Sequence, residues 1–213
     1  MINTIIFDAE GVVVDTEKAW DKAQVEFLRR RGIVYERNKI KHLLSGKSQV
    51  EAIEILKAEC GLTGNVQSLI TERMALVKRL LEEHVEFVAG FREFFQRVQP
   101  AYRTCIATAM PEDLLAIVDG RLGLSGLFGG RIYSLIDVDH RSKPNPDVFL
   151  HAAGRLGAKP ENCLVIEDAP HGVEAAKRAG MKCIALTTTY DRQILSNADT
   201  VVDSFAQIEP ADW

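Results

Sequence analysis

The sequence predicts an α/β fold: a doubly wound parallel sheet that carries a small all-helical domain inserted after its first strand. Three observations lead there. Short runs that are apolar on both faces recur at residues 4–7, 104–107, 131–135, 163–166, 183–186 and 200–202, with amphipathic helical stretches between them. Strands apolar on both faces and separated by helices indicate a parallel sheet covered on both sides. The third observation is uneven spacing. Far more chain separates the first run from the second than the roughly dozen residues a single crossover helix needs, so something has been inserted there.

Taken in chain order, the run at 4–7 is followed by the insertion, which reads as helix throughout. Ala19, Trp20, Ala23, Phe27 and Leu28 form one stripe, stopped by Gly32; Ser48 opens a second through Ile53 and Leu56; Val66, Leu69, Ile70, Val77, Leu80 and Leu81 form a third. Such helices bury their stripes against one another, giving a cap joined to the sheet near 14–17 and 84–90. The expected division is a core of residues 1–16 and 88–213 and a helical cap of residues 17–87. After the strand at 104–107, a helix starts at Pro111 and ends near Gly123. After 131–135, Asn145 reads as the N-cap of a helix with Pro146 at its first position and Gly157 as its stop. The strand at 163–166 leads to a helix from about His171 to Ala179, ended by Gly180.

With 213 residues, 46% hydrophobic and 26% charged, the chain is long enough for one sizeable core and a satellite unit. Its 26 basic side chains against 30 acidic ones, net charge -4, leave no surplus to neutralise a run of phosphates, so no nucleic-acid partner is expected. A small anionic ligand is compatible, because only local charge decides that. Apolar runs fall far short of the roughly 20 residues that cross a bilayer, and the start of the chain has neither a basic stretch nor a cleavage-like end. No membrane partner is expected, and the reading is a cytoplasmic protein, a monomer or weak homo-oligomer. The four cysteines show no CxxC or Cys/His spacing; Cys105, Cys163 and Cys183 sit in apolar runs and read as buried thiols.

In an open parallel sheet the ligand site lies beyond the carboxyl ends of the strands. There the sequence places Asp8-Ala9-Glu10-Gly11 after the first run, Thr108 after the second and Glu167-Asp168 after the fourth, with Ser142-Lys143-Pro144 between the last two. Asp8, Glu10, Glu167 and Asp168 would then share one crevice with one hydroxyl and one ammonium. Carboxylates so close repel, and some would protonate unless a counter-charge intervened. Oxygen ligands without histidine or thiolate select a hard cation, and Mg²⁺ suits a small site that also holds a phosphate. Asp8 beside such an ion is a competent nucleophile toward phosphorus, giving an aspartyl-phosphate, while Glu10, two residues on, protonates the leaving oxygen. Thr108 would hydrogen-bond a phosphoryl oxygen, and Lys143 would neutralise both phosphate and acids.

These residues resemble the motifs of the haloacid dehalogenase superfamily of phosphohydrolases, with its Rossmann-like core. The run from Phe7 through Asp8, Glu10, Gly11 and Asp15 to Glu17 is similar to its first motif, DxDGxxxDS/T. Thr108 resembles the second, Lys143 in Ser-Lys-Pro-Asn-Pro the third, and Val165-Ile166-Glu167-Asp168-Ala169 with Gly172 and Gly180 the fourth, all in order. The helical insertion resembles the cap of the beta-phosphoglucomutase-like phosphatases. The resemblance implies Asp8 as nucleophile, the residue at Glu10 as acid/base, and Mg²⁺ held by Asp8, the Glu10 backbone carbonyl, Asp168 and Glu167.

Two departures stand out. The family's acid/base is normally aspartate, and Glu10 carries the carboxyl about 1.5 Å further, where errors near 1 Å can cost roughly 100-fold. In the cap, the substrate loop reads Ser45-Gly46-Lys47-Ser48-Gln49, with no arginine, and Trp20 stands where a histidine is usual in beta-phosphoglucomutases. Lys47 is the candidate anion-binding residue there. The leading expectation is a Mg²⁺-dependent phosphatase hydrolysing a small phosphorylated metabolite, such as a sugar phosphate. The alternatives are a phosphosugar mutase and a catalytically weakened homologue that binds phosphometabolites. A receiver-type signalling domain is disfavoured by the order of the motifs and the insertion, and a dehalogenase by the second acid and the acidic cluster.

Overall fold

A computed structural model describes residues 1–44 and 47–209. The chain runs β1 (Thr4–Phe7), β2 (Val14–Asp15), α1 (Glu17–Arg29), α2 (Arg37–Leu44), α3 (Gln49–Cys60), α4 (Val66–Glu83), β3 (Glu86–Phe87), α5 (Phe91–Val98), β4 (Arg103–Ala107), α6 (Glu112–Leu122), α7 (Leu124–Leu127), β5 (Ile132–Tyr133), α8 (Asp147–Arg155), β6 (Cys163–Glu167), α9 (Pro170–Arg178), β7 (Lys182–Leu186) and β8 (Thr200–Val202). It divides into two compact units, one made of Met1–Asp15 with the chain from Glu86 onward, the other of Thr16–Val85.

The first unit is a six-stranded parallel sheet in the order β5-β4-β1-β6-β7-β8. All four residues of β1 and all five of β6 are buried, which is why both read as uninterrupted apolar runs. Phe7 sits at the hub of an aromatic cluster, its ring 5.7 Å from Phe91, 6.1 Å from Phe95 and 5.8 Å from Phe128. On α5, Phe91, Phe94, Phe95 and Val98 are all buried. A short antiparallel pair, β2 with β3, lies where the chain leaves this unit and returns.

Two local readings change. The run at 131–135 keeps strand geometry only at Ile132–Tyr133, because Ser134 accepts from the Ile136 amide (3.4 Å) and its own amide donates to Asp137 (2.8 Å), turning Leu135–Val138 into a 3-10 helix. Asn145 does not cap α8. Its amide donates to the Ser142 carbonyl (2.9 Å), and Pro146 takes the N-cap position.

The second unit is α1–α4. Its core is Ala23, Phe27 and Leu28 of α1, Ile53 and Leu56 of α3, and Val77 and Leu81 of α4, all buried. Ser48 opens α3 with a full capping box to Glu51, and Gly61, at φ +67°, ends it in the left-handed conformation. Arg73 is buried in this unit and, among the described residues, has no carboxylate partner: its guanidinium donates to Gln24 (2.9 Å) and Gln49 (2.7 Å) and lies 4.8 Å from the centre of the Trp20 ring.

Candidate active site

Strand order locates the site. Counting the sheet strands along the chain, their spatial order is 3-2-1-4-5-6, so the direction of winding reverses between β1 and β6. Crossover helices diverge there and leave a crevice at the carboxyl ends. Register does the rest: Phe7 lies opposite Ile106 on one side and Ile166 on the other, so Asp8, Thr108, Glu167 and Asp168 emerge at nearly one level.

Lys143 enters this crevice from the loop before α8 and is buried. Its ammonium donates to Asp8 Oδ1, to Glu167 Oε1 (2.7 Å) and to the Ala107 carbonyl (3.3 Å), with the Phe149 ring centre 4.6 Å away. Glu167 is held on its other oxygen as well, where Oε2 accepts from the amides of Asp168 (2.9 Å) and Ala169 (3.1 Å). Thr108 is buried, and its hydroxyl oxygen accepts from the Met110 amide (3.0 Å), which leaves its proton to donate elsewhere. Glu10 is half-buried and near enough for its charge to act on Asp8.

The charges are out of balance. Burial, with the neighbouring charges of Glu167 and Glu10, pushes Asp8 up to about 7 despite Lys143. Burial and the charges of Glu167 and Asp8 carry Asp168 well above the carboxylate range, against the opposing pull of the Thr189 hydroxyl and Lys143. Burial alone would lower Lys143, but Asp8 and Glu167 outweigh it and hold the ammonium above its usual range. His171, in the first turn of α9, is pulled below its usual value by burial.

Two glycines make this crowding sterically feasible. A Cβ on Gly172 would stand 1.8 Å from Glu167 Oε1, and one on Gly11 would stand 1.8 Å from Asp168 Oδ2. Gly11 is also at φ +71°, in the left-handed region that favours glycine. Buried, mutually repelling oxygen donors with one ammonium between them are what a hard divalent cation would neutralise, so the residues fit Mg²⁺. Among the described residues no three His, Cys, Asp or Glu side chains form a finished metal cage. Glu167, expected as a ligand, has both oxygens engaged by Lys143 and backbone amides. Asp8 and Asp168 are the remaining buried carboxylates that could hold such an ion, with the Glu10 carbonyl that the resemblance implies, a set that would suit Mg²⁺ because it binds one or two carboxylates and keeps its waters.

Thr188 and Thr189, after β7, were not among the sequence candidates, although inspecting the residues beyond every strand would have found them. Thr188 Oγ1 donates to the Gly11 carbonyl (2.6 Å), and the Thr189 hydroxyl lies near Asp168, 2.8 Å from where a Gly11 Cβ would stand. Lys47 belongs to the helical unit, exposed and 4.0 Å from Glu51. Of the expected loop, Ser45 and Gly46 lie outside the described residues, and Gln49 accepts from Arg73.

Residues 2–180 match the family model described as haloacid dehalogenase-like hydrolase. The chain belongs to the haloacid dehalogenase-like hydrolase family. Within that family it is 32% identical over 188 residues to fructose-1-phosphate phosphatase YqaB of Escherichia coli (strain K12), covering 84% of this chain and 94% of that protein. It is 25% identical over 181 residues to 6-phosphogluconate phosphatase of the same organism, covering 85% and 80%. Among solved structures, a haloacid dehalogenase-like protein of unknown function from Agrobacterium tumefaciens str. C58 superposes with a TM-score of 0.86 at 28% identity, covering 96% of this chain and 95% of that one. Among the described residues no helix is long and apolar enough to cross a membrane.

Proposed function

We propose that this hydrolase is a Mg²⁺-dependent phosphatase of small phosphorylated metabolites, sugar phosphates first among them, working through an aspartyl-phosphate on Asp8. The observation that carries the reading is the Lys143 bridge between Asp8 and Glu167 at the sheet's switch point, with Asp168 and Thr108 beside it. The named relatives above are phosphatases of sugar or sugar-acid phosphates, which favours hydrolysis over phosphosugar isomerisation.

Asp8 must be ionised to attack, and Lys143 favours that form. Attack of its carboxylate on phosphorus forms the aspartyl-phosphate and breaks the bond to the leaving oxygen, which takes the proton of Glu10. Water then attacks the same phosphorus, Glu10 removes its proton, and Asp8 and inorganic phosphate are released. Thr108 donates its hydroxyl proton to a phosphoryl oxygen, and Glu167 fixes Lys143. When bound between Asp8, Asp168 and the Glu10 carbonyl, Mg²⁺ supplies the charge that keeps both acids ionised and polarises the phosphoryl group.

A panel of phosphorylated metabolites assayed for phosphate release with and without Mg²⁺ tests the reading. Release that needs Mg²⁺ and disappears in Asp8→Asn is expected, since an amide does not attack phosphorus. Release in Asp8→Asn above about a tenth of wild type would defeat it, as would isomerised sugar phosphate in place of free phosphate.

A further inference from the structure

We propose that the helical unit carries a binding site for a carboxylate, made by Arg73 of α4 and Gln24 of α1, with Gln49 and the Trp20 ring against the guanidinium. The site lies wholly within the unit of Thr16–Val85 and does not rest on the phosphatase reading.

A charge comes first. Arg73 is only 6% exposed, and taking an ion out of water is costly unless an opposite charge goes with it. Its partners are the neutral oxygens of Gln24 (2.9 Å) and Gln49 (2.7 Å) and the face of Trp20. Acids on the same helices are engaged by other cations: Glu72 accepts from Arg31 at 2.5 Å, Asp21 from Arg37 at 2.6 Å, and Glu17 from Lys41. Burial pulls the guanidinium down to about 10, which leaves it charged at neutral pH, and the group that opposes this shift is Tyr35 rather than an acid.

Gln24 supplies the second, independent observation. At 2% exposed, it spends Oε1 on Arg73 Nε, so its amide cannot be turned round, and Nε2 is left buried without a hydrogen bond. Buried amide donors are rarely left so. On the guanidinium, Nη1 is taken by Gln49, whereas Nη2 has no partner among the described residues. A water would satisfy the amide and leave the charge unmet. A carboxylate meets both, because its two oxygens accept from neighbouring N–H donors and its single charge balances the single guanidinium. A phosphate dianion would bring a second negative charge with nothing to pair it. Trp20, Tyr35 and Gln49 are half-buried, so the site is not sealed from solvent.

The test reads Trp20 fluorescence in a Trp213→Phe background, where Trp20 is the sole tryptophan, and melting curves beside it. The probes are gluconate, its uncharged counterpart sorbitol, and inorganic phosphate. Gluconate is expected to change the fluorescence and raise the melting temperature, phosphate to act more weakly and sorbitol not at all. Arg73→Met keeps the stem and removes the charge, and should weaken gluconate by about 10- to 100-fold. Gln24→Glu puts the missing carboxylate into the chain itself, so it should block gluconate and raise the melting temperature of the ligand-free protein. Gluconate that wild type ignores at millimolar concentration, or binds no better than sorbitol or phosphate, overturns the proposal. So does a folded Gln24→Glu protein that binds gluconate like wild type or melts below it. The KM values for 6-phosphogluconate and glucose 6-phosphate then locate the carboxylate: a rise for the first alone in Arg73→Met assigns it to the substrate, and gluconate binding with both KM values unchanged assigns it to a separate small acid.

Discussion

Lys143 meets two of the buried acids and leaves the rest of the cluster under-neutralised, and this single shortfall governs what substitutions will do. Asp168 is the clearest case: its charge is unfavourable in the folded chain until a cation arrives. Asp168→Asn should therefore raise the melting temperature of the metal-free protein, by about 2–4 °C for each kcal/mol recovered, while removing Mg²⁺ binding; a lower metal-free melting temperature would contradict the imbalance. Glu10 poses a different question. If it is an overlong acid, Glu10→Asp should raise kcat on a generic phosphate ester by roughly 10-fold or more with KM little changed, because the restored contact belongs to the transition state. A slower Glu10→Asp enzyme would show that the site is built around glutamate. Asp8, Thr108, Lys143, Glu167 and Asp168 were legible because charged or hydroxylic residues just beyond apolar strands have few structural reasons to be there. The grip of two backbone amides on Glu167 was not, since it depends on how the chain turns after β6. Thr188 and Thr189 were passed over because the residues just beyond β7 carry no charge to mark them.

At the scale of elements, strands read more truly than short helices. The run at 4–7 coincides with β1 because burial on both faces leaves an unbroken apolar signature, and the run at 200–202 coincides with β8, an edge strand in which only Val202 is fully buried. In α5, the spacing of Phe91, Phe94, Phe95 and Val98 is helical, but two turns of aromatics fit a strand nearly as well. Polar α2, with Ile40 as its one buried residue, offers still less periodicity. Helix α9 shows how tightly an element can be tied to the site. Gly172 lets the helix approach β6 so closely that a methyl group there would meet the Glu167 carboxyl, 1.8 Å from one oxygen and 2.0 Å from its carbon. Gly172→Ala must push either the helix or the carboxylate, breaking the Glu167 bonds to Lys143 and to the amides of Asp168 and Ala169. Expected are a loss of about 1–3 kcal/mol in urea unfolding and loss of most activity; a variant as stable and active as wild type would show that α9 yields freely.

For the whole molecule, the doubly wound core was legible from the alternation of strands and helices, whereas the position of the switch point was not, because periodicity does not say on which side of β1 a later strand is laid. That placement gathers the acids and so sets how the chain responds to pH. The folded value of Asp8, about 7, lies above the ordinary value of 3.8, and Asp168 is shifted the same way. Below those folded values the native state binds more protons than the unfolded state, so stability falls as pH rises, with the Asp8 share lost above about 7. The acids held low by partners, Glu26, Glu51, Glu72, Asp199 and Asp203, act with the opposite sign. Their contribution is lost only as pH falls below about 4, outside this window. Mg²⁺ held as proposed would compete with the protons on Asp8 and Asp168, so its stabilisation should grow with pH, reaching about 2.7 kcal/mol at a hundred times its dissociation constant. Melting curves from about pH 5.5 to 8.5 should then slope downward in chelator and flatten or reverse in Mg²⁺. A metal-free melting temperature that climbs across that range would mean that the acids are not crowded as described.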